Sequence, residues 1–157
     1  MTENLRTPLL ITAIVAAGLQ AGTYYVWVCG VMPGLARADD HTFVTTLNQV
    51  NQAIVNPVFM LTFLGAPVLV AAAAVTGTPA ARPWLIAGLA LSVATVAVTV
   101  LGNVPLNNAL GKAATTTHAD LAAARAAFET AWVRWNVLRT LTATAALAAL
   151  GWAALRA

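Results

Sequence analysis

Charge is what this chain most lacks. Asp, Glu, Lys and Arg make up 8% of its 157 residues, against about a quarter in an ordinary soluble domain. A water-facing surface cannot be assembled from so few ionised groups, so lipid must cover most of it. Cysteine is nearly absent as well. Cys29 stands alone, which rules out an intrachain disulfide and a thiolate metal cage. The net charge of +3 is scattered, and the lack of a basic run argues against a nucleic-acid partner. A glycine-rich phosphate loop, a nucleophile elbow and a zinc-binding histidine pair at helical spacing are all missing. No internal repeat is visible, which disfavours an alternating-access transporter.

What is present is hydrophobic, at 60% of residues. The length suits one domain, residues 1–157, with four spans of ~20 residues. The expected fold is all-α, an integral membrane four-helix bundle with spans near residues 8–30, 43–75, 84–101 and 132–155. The first begins like a signal peptide after Arg6, but its apolar stretch continues through Tyr24, Tyr25 and Trp27, long enough to cross as an uncleaved helix. Met32-Pro33-Gly34 is expected to end it. The second is longer than a bilayer requires, with kinks expected at Pro57 and Pro67. The third should close at Gly102-Asn103-Val104-Pro105. The fourth is the second half of a long helix from Leu121 to Leu155, with Asp120 at its N-terminal end and an amphipathic first part. Helices two and four thus extend beyond the bilayer on one side, which also carries the polar connections 31–42 and 102–131. Arg6 and Arg82, in the shortest flanks, favour cytoplasmic termini for a multi-pass protein of the cell membrane.

Polar side chains within lipid are costly unless paired, so their positions are informative. Asn48, Gln52, Asn56 and Phe59 share one helical face, with Asn51 beside them. Trp132, Trp135, Asn136 and Arg139 follow the i, i+3, i+4, i+7 pattern, and Gln20, Tyr24 and Trp27 do so in the first span. Asn103, Asn107 and Asn108 follow the third. Each residue has a structural reading. Amides join membrane helices at ~0.6–2 kcal/mol each, indoles form interfacial belts, and Arg139 lies close enough to a boundary to snorkel. Four helices concentrating such groups at one level point instead to a pocket for an apolar aromatic molecule or a lipid. Gly18 and Gly22 are expected to allow close helix packing. His41 beside Asp39 and Asp40, and His118 near Asp120, form the ligand set of an alternative with non-haem iron or zinc. Their spacing matches no compact motif, so neither metal nor cofactor is expected.

Three stretches resemble the signature segments of the anthrone oxygenase-like membrane proteins. They are Asn51-Gln52-Ala53-Ile54-Val55-Asn56-Pro57-Val58-Phe59, Gly102-Asn103-Val104-Pro105-Leu106-Asn107-Asn108 and Trp132-Val133-Arg134-Trp135-Asn136-Val137-Leu138-Arg139-Thr140. Met32-Pro33-Gly34-Leu35 fits as well, so the resemblance covers nearly the whole chain. It implies a four-helix membrane domain and an oxygenase that needs no added cofactor, acting on an anthrone or a similar apolar phenol. Such a substrate forms a stabilised carbanion that reacts with O₂. Arg139, Asn136 and Asn103 are then expected as oxyanion donors and His41 as the base. Tyr24, Trp132, Trp135 and Phe59 would form an aromatic wall, with Asn48, Asn51, Gln52, Asn56 and Asn107 holding substrate. The alternative is a non-catalytic protein that binds a lipid or quinone, or that supports a partner membrane enzyme. The chain is also compatible with a homo-oligomer.

Overall fold

The computed structural model describes residues 2–157, with side chains from Leu5 onward. Its described elements are all helical: α1 (Thr2–Val26), a π turn (Trp27–Val31), α2 (Met32–Leu35), α3 (Asp40–Ala53), α4 (Pro57–Thr76), α5 (Arg82–Val98), a second π turn (Thr99–Asn103), α6 (Val104–Lys112) and α7 (His118–Ala154). Four continuous helices, Leu5–Leu35, Pro57–Thr76, Arg82–Lys112 and His118–Ala154, are long and apolar enough to cross a membrane. Each packs on the next in sequence, α1 on α4, α4 on α5 and α5 on α7, and α7 closes the ring against α1. Short connections force this neighbour-to-neighbour order.

Both prolines expected to end a helix instead sit inside one. Pro33 and Pro105 have no N–H to donate, and each ring crowds the carbonyl four residues earlier. A π turn just before each proline absorbs the misfit. The backbone N–H of Met32 donates to the Trp27 carbonyl, and that of Val104 to the Thr99 carbonyl, each five residues back. The first span therefore runs to Leu35 rather than stopping near residue 30, and the third reaches Lys112 rather than 101. The two sites share a local spacing, Val28-x-Gly30-x-x-Pro33 and Val100-x-Gly102-x-x-Pro105, too short to register as a repeat.

The second span differs in the opposite sense. It is two helices, not one kinked rod: α3 ends at Ala53, and Asn56 takes an extended conformation and caps α4, its side chain accepting from the Phe59 N–H at 3.0 Å. Pro57 then occupies the first turn, where the missing N–H costs nothing. Pro67 lies inside α4, which runs unbroken. The last helix begins at His118 with a capping box between Thr117 and Asp120.

The end of the bundle holding the termini is dry. Leu10, Ala13, Ala17, Val70, Ala73, Leu85, Leu150 and Ala153 bury against one another. Gly88 lets α5 close on α7, since a Cβ there would lie 3.1 Å from the Leu150 side chain. Gly18 and Gly22 do not have the close-packing role expected of them. A Cβ on Gly18 would meet Leu147 at an ordinary 4.0 Å, and one on Gly22 would meet nothing within 4 Å. Gly22 is exposed, turned away from the face that carries Ala21 and Tyr24 inward.

At the opposite end α3 lies on α7. Phe43, Val44 and Leu47 bury against Leu110, Leu121, Phe128 and Trp132. Arg125 staples this layer. It donates to the carbonyls of Ala36 and Ala38 and to Asp40 and Glu129, and its guanidinium rests 4.5 Å from the Phe43 ring centroid.

Candidate functional site

Between the α3 layer and the bundle lies a cavity of about 600 Å³, within the range that holds a drug-sized ligand. α1 and its π turn contribute Thr23, Tyr24 and Trp27; α3 contributes Asn48, Asn51 and Gln52; α4 contributes Phe59, Met60 and Phe63. The second π turn and α6 add Thr99, Asn107 and Lys112, and α7 adds Trp132 and Arg139.

Arg139 is the centre of the arrangement. It is only 8% exposed, so it points into the bundle and does not snorkel. Its Nε donates to Asn136 Oδ1 at 2.7 Å. Its guanidinium lies 4.4 Å from the Tyr24 ring centroid and 5.1 Å from that of Trp132. The described ion pairs belong to Arg125. Among the described residues Arg139 therefore has aromatic faces on its flanks, no carboxylate partner, and no hydrogen bond from its terminal nitrogens. A cation held this way in a cavity is suited to receive an anion.

Neighbouring polar groups hold this geometry. Asn136 is buried, and its Nδ2 donates to the Tyr24 carbonyl at 3.4 Å, so it aims Arg139 and joins α7 to α1 without lining the cavity. The Tyr24 hydroxyl donates to Gln20 Oε1, and Gln20 Nε2 donates to the Thr62 hydroxyl at 2.8 Å. Trp132 donates its indole N–H to Asn107 Oδ1 at 2.8 Å and sits 5.3 Å from Trp27, centroid to centroid. Asn103 is fully buried; its Nδ2 donates to the Trp132 carbonyl at 3.3 Å, and its Oδ1 has no partner. The Asn51 Nδ2, in the cavity wall, is likewise unpartnered.

Of the residues singled out in the sequence, Tyr24, Asn48, Asn51, Gln52, Phe59, Asn107, Trp132 and Arg139 line this one cavity. Asn136 and Asn103 stand behind it, and Asn56 is the cap of α4. Trp135 is on another face of α7, 38% exposed and pressed on Gly102, where a Cβ would come within 2.3 Å of the indole. His41 is exposed in the first turn of α3 and His118 in that of α7, neither in the lining. Among the described residues no three His, Cys, Asp or Glu side chains gather into a metal-binding group. Two of the acids near those histidines, Asp39 and Asp120, act as caps, while Asp40 accepts from Arg125. The Thr42 backbone N–H holds the Asp39 carboxyl below its usual range, and the hydroxyls of Thr116 and Thr117 do the same for Asp120.

Met60, Phe63, Thr99 and Lys112 carried no signal in the sequence. Thr99 is one more threonine in an apolar helix until the π turn presents it, and Lys112 falls beyond a span that seemed to close at residue 101. Trp27, three residues from Tyr24, was legible by spacing. Among the described residues the lining contains no histidine and no carboxylate; its ionisable groups are Tyr24, Lys112 and Arg139.

A family model described as anthrone oxygenase matches residues 50–149, more than half of the chain. No curated protein and no solved structure matches it. The chain belongs to the anthrone oxygenase family.

Proposed function

With that membership as the premise, we propose that the cavity binds a flat, apolar phenol of the anthrone type and oxidises it with O₂. The supporting observation is Arg139, an aromatic-flanked cation without an acidic partner, facing a space large enough for three fused rings. The substrate lies among Trp27, Trp132, Tyr24 and Phe59. Its carbonyl oxygen meets the free guanidinium nitrogens, which stabilise the enolate more than the neutral ketone and so acidify the methylene. The methylene proton passes to water in the polar part of the cavity lined by Asn48, Asn51, Gln52 and Lys112, since His41 lies outside the lining. The carbanion forms a C–O bond to O₂, and protonation gives a hydroperoxide. Loss of water from that carbon leaves the second carbonyl. Anthrone plus O₂ gives anthraquinone plus water, and the electrons balance with no added reductant. The protein works in the cell membrane as a multi-pass chain, with Arg6 and Arg82 holding the termini on the cytoplasmic side.

Reconstituted in liposomes, the protein is expected to oxidise a model anthrone, and Arg139→Gln to reduce turnover by about 100-fold or more with helix content unchanged. Undiminished turnover in that variant removes the proposal. A second reading, binding of a quinone or lipid without turnover, is favoured by the missing histidine and carboxylate in the lining. A ligand that co-purifies and survives aerobic incubation unchanged selects it.

A further inference from the structure

The large cavity reaches the outside of the bundle on an apolar side. Val55, Val100 and Val104 belong to its lining, yet they are 71%, 50% and 38% exposed. Val55 lies in the break before α4, Val100 in the second π turn and Val104 at the start of α6. The edges that carry them separate. α4 packs along α1 and α5, whereas the second π turn and α6 pack on α7. At the dry end, Val70 and Ala73 of α4 share a core with Leu85 of α5. Farther along, Ala66, Pro67, Ser92 and Val96 line a narrow space between the same two helices. Past Phe63 this seam widens into the large cavity, with Phe59 and Met60 on one side and Thr99 and Val100 on the other.

The depth of the gap decides what it opens onto. Pro57–Thr76 holds 20 residues, about 30 Å of helix, which matches the hydrocarbon thickness. Val55 is therefore at the edge of the hydrocarbon, and Phe63 is about 9 Å inside it. Val100 lies about 27 Å along the third span from Arg82, near the same edge. Asn108 and Lys112, exposed residues of the polar part of the lining, lie beyond that edge, toward water.

We propose that the gap between α4 and the second π turn is a lateral portal, through which an apolar phenol enters from the bilayer and its product leaves. This rests on the binding of such a phenol in the cavity. The apolar surface of three fused rings concentrates the molecule in hydrocarbon, so it reaches Val55 and Val100 far more often than Asn108 and Lys112. Sliding inward past Phe59, it keeps its rings on apolar surface until the carbonyl meets Arg139.

Stopped-flow binding of anthrone carried by vesicles, under argon and read by tryptophan quenching, tests the route. In Val55→Phe/Val100→Phe the association and dissociation rates should both fall by about tenfold or more, with Kd nearly unchanged, because a barrier raised for entry is raised equally for exit. Val100→Phe alone serves if the pair does not fold. Asn108→Phe, on the polar side, should bind at the wild-type rate. The portal is overturned if the valine variant binds at the wild-type rate, or if Asn108→Phe slows binding as much.

A second arm needs no phenol. In nanodiscs, the Met60 methyl in the cavity wall should show magnetisation transfer from lipid acyl chains, weakened in the valine variant. The Met32 methyl, 3% exposed, should show none. Absence of acyl contact at Met60 overturns the portal. If that contact is present and anthrone does not bind, the opening to lipid stands and the phenol reading falls.

Discussion

The two ends of this bundle are built from the same four helices and solve different problems. At the end with the termini, Leu10, Val70, Leu85 and Leu150 interlock with alanines, and little remains for a ligand to satisfy. At the other end, the π turns, the α3–α4 break and the long α7 open a cavity into which Arg139 and the Asn51 amide bring unmet hydrogen-bonding capacity. Satisfied packing makes scaffold, and polar groups held short of their partners make a site. The same residue type changes role across this divide. Arg6 donates to the Thr76 carbonyl and ties the start of α1 to the end of α4, whereas Arg139 has no acidic partner among the described residues.

The contrast breaks most sharply at Arg139. Its replacement by Gln should remove about 100-fold or more of the turnover and leave the thermal transition in detergent nearly in place. Leu150→Ala should do the reverse: a buried leucine lost from the dry end costs about 2–5 kcal/mol, read as a lower melting temperature with the anthrone KM unaltered. If Leu150→Ala changes KM while Arg139→Gln changes only stability, the division into scaffold and site is wrong.

Gly102→Ala tests the boundary between the two. Its Cβ would meet the Trp135 ring at 2.3 Å, and displacing a packed indole costs about 1–3 kcal/mol. Because Gly102 belongs to the π turn that presents Thr99, both melting temperature and KM should change. Asn107→Ala is subtler. It frees the Trp132 indole N–H at a cost of about 1 kcal/mol, which should raise the anthrone KM severalfold with kcat retained. The smallest effect expected is on pH. Asp39 and Asp120 have folded-state pKa values lowered by their capping bonds. Their contribution is therefore complete above the ordinary aspartate range and lost as pH falls below it. Acid should fray the starts of α3 and α7, seen as early amide exchange there, before it affects the dry end.

Much of the fold was legible because lipid imposes simple rules. Scarce charge and four long apolar stretches leave helices as the main solution to backbone hydrogen bonding in a bilayer. The convergence of Tyr24, Asn51, Gln52, Trp132 and Arg139 was legible too, because helical spacing puts them on common faces. Proline was misread in both directions. Pro33 and Pro105 looked like stops and lie within helices, while Pro57 looked like a kink and begins one. A proline forbids one backbone hydrogen bond, but whether the chain answers with a break, a cap or a π turn depends on what packs around it. The amides divided likewise. Asn51 and Asn107 reach the cavity, Asn103 and Asn136 brace it from behind, and Asn56 caps a helix, although all five were expected to meet the substrate, Asn103 and Asn136 as oxyanion donors and the others as holding groups.

The sequence by itself determined that this chain is a four-helix membrane protein and which end of it is polar, because the cost of burying charge and bare backbone in lipid admits few other arrangements. The tertiary structure alone decided which polar groups face the cavity and which only support it. That choice depends on rotations of a fraction of a turn, introduced at the two π turns and the Asn56 cap, and no periodicity in the sequence records them.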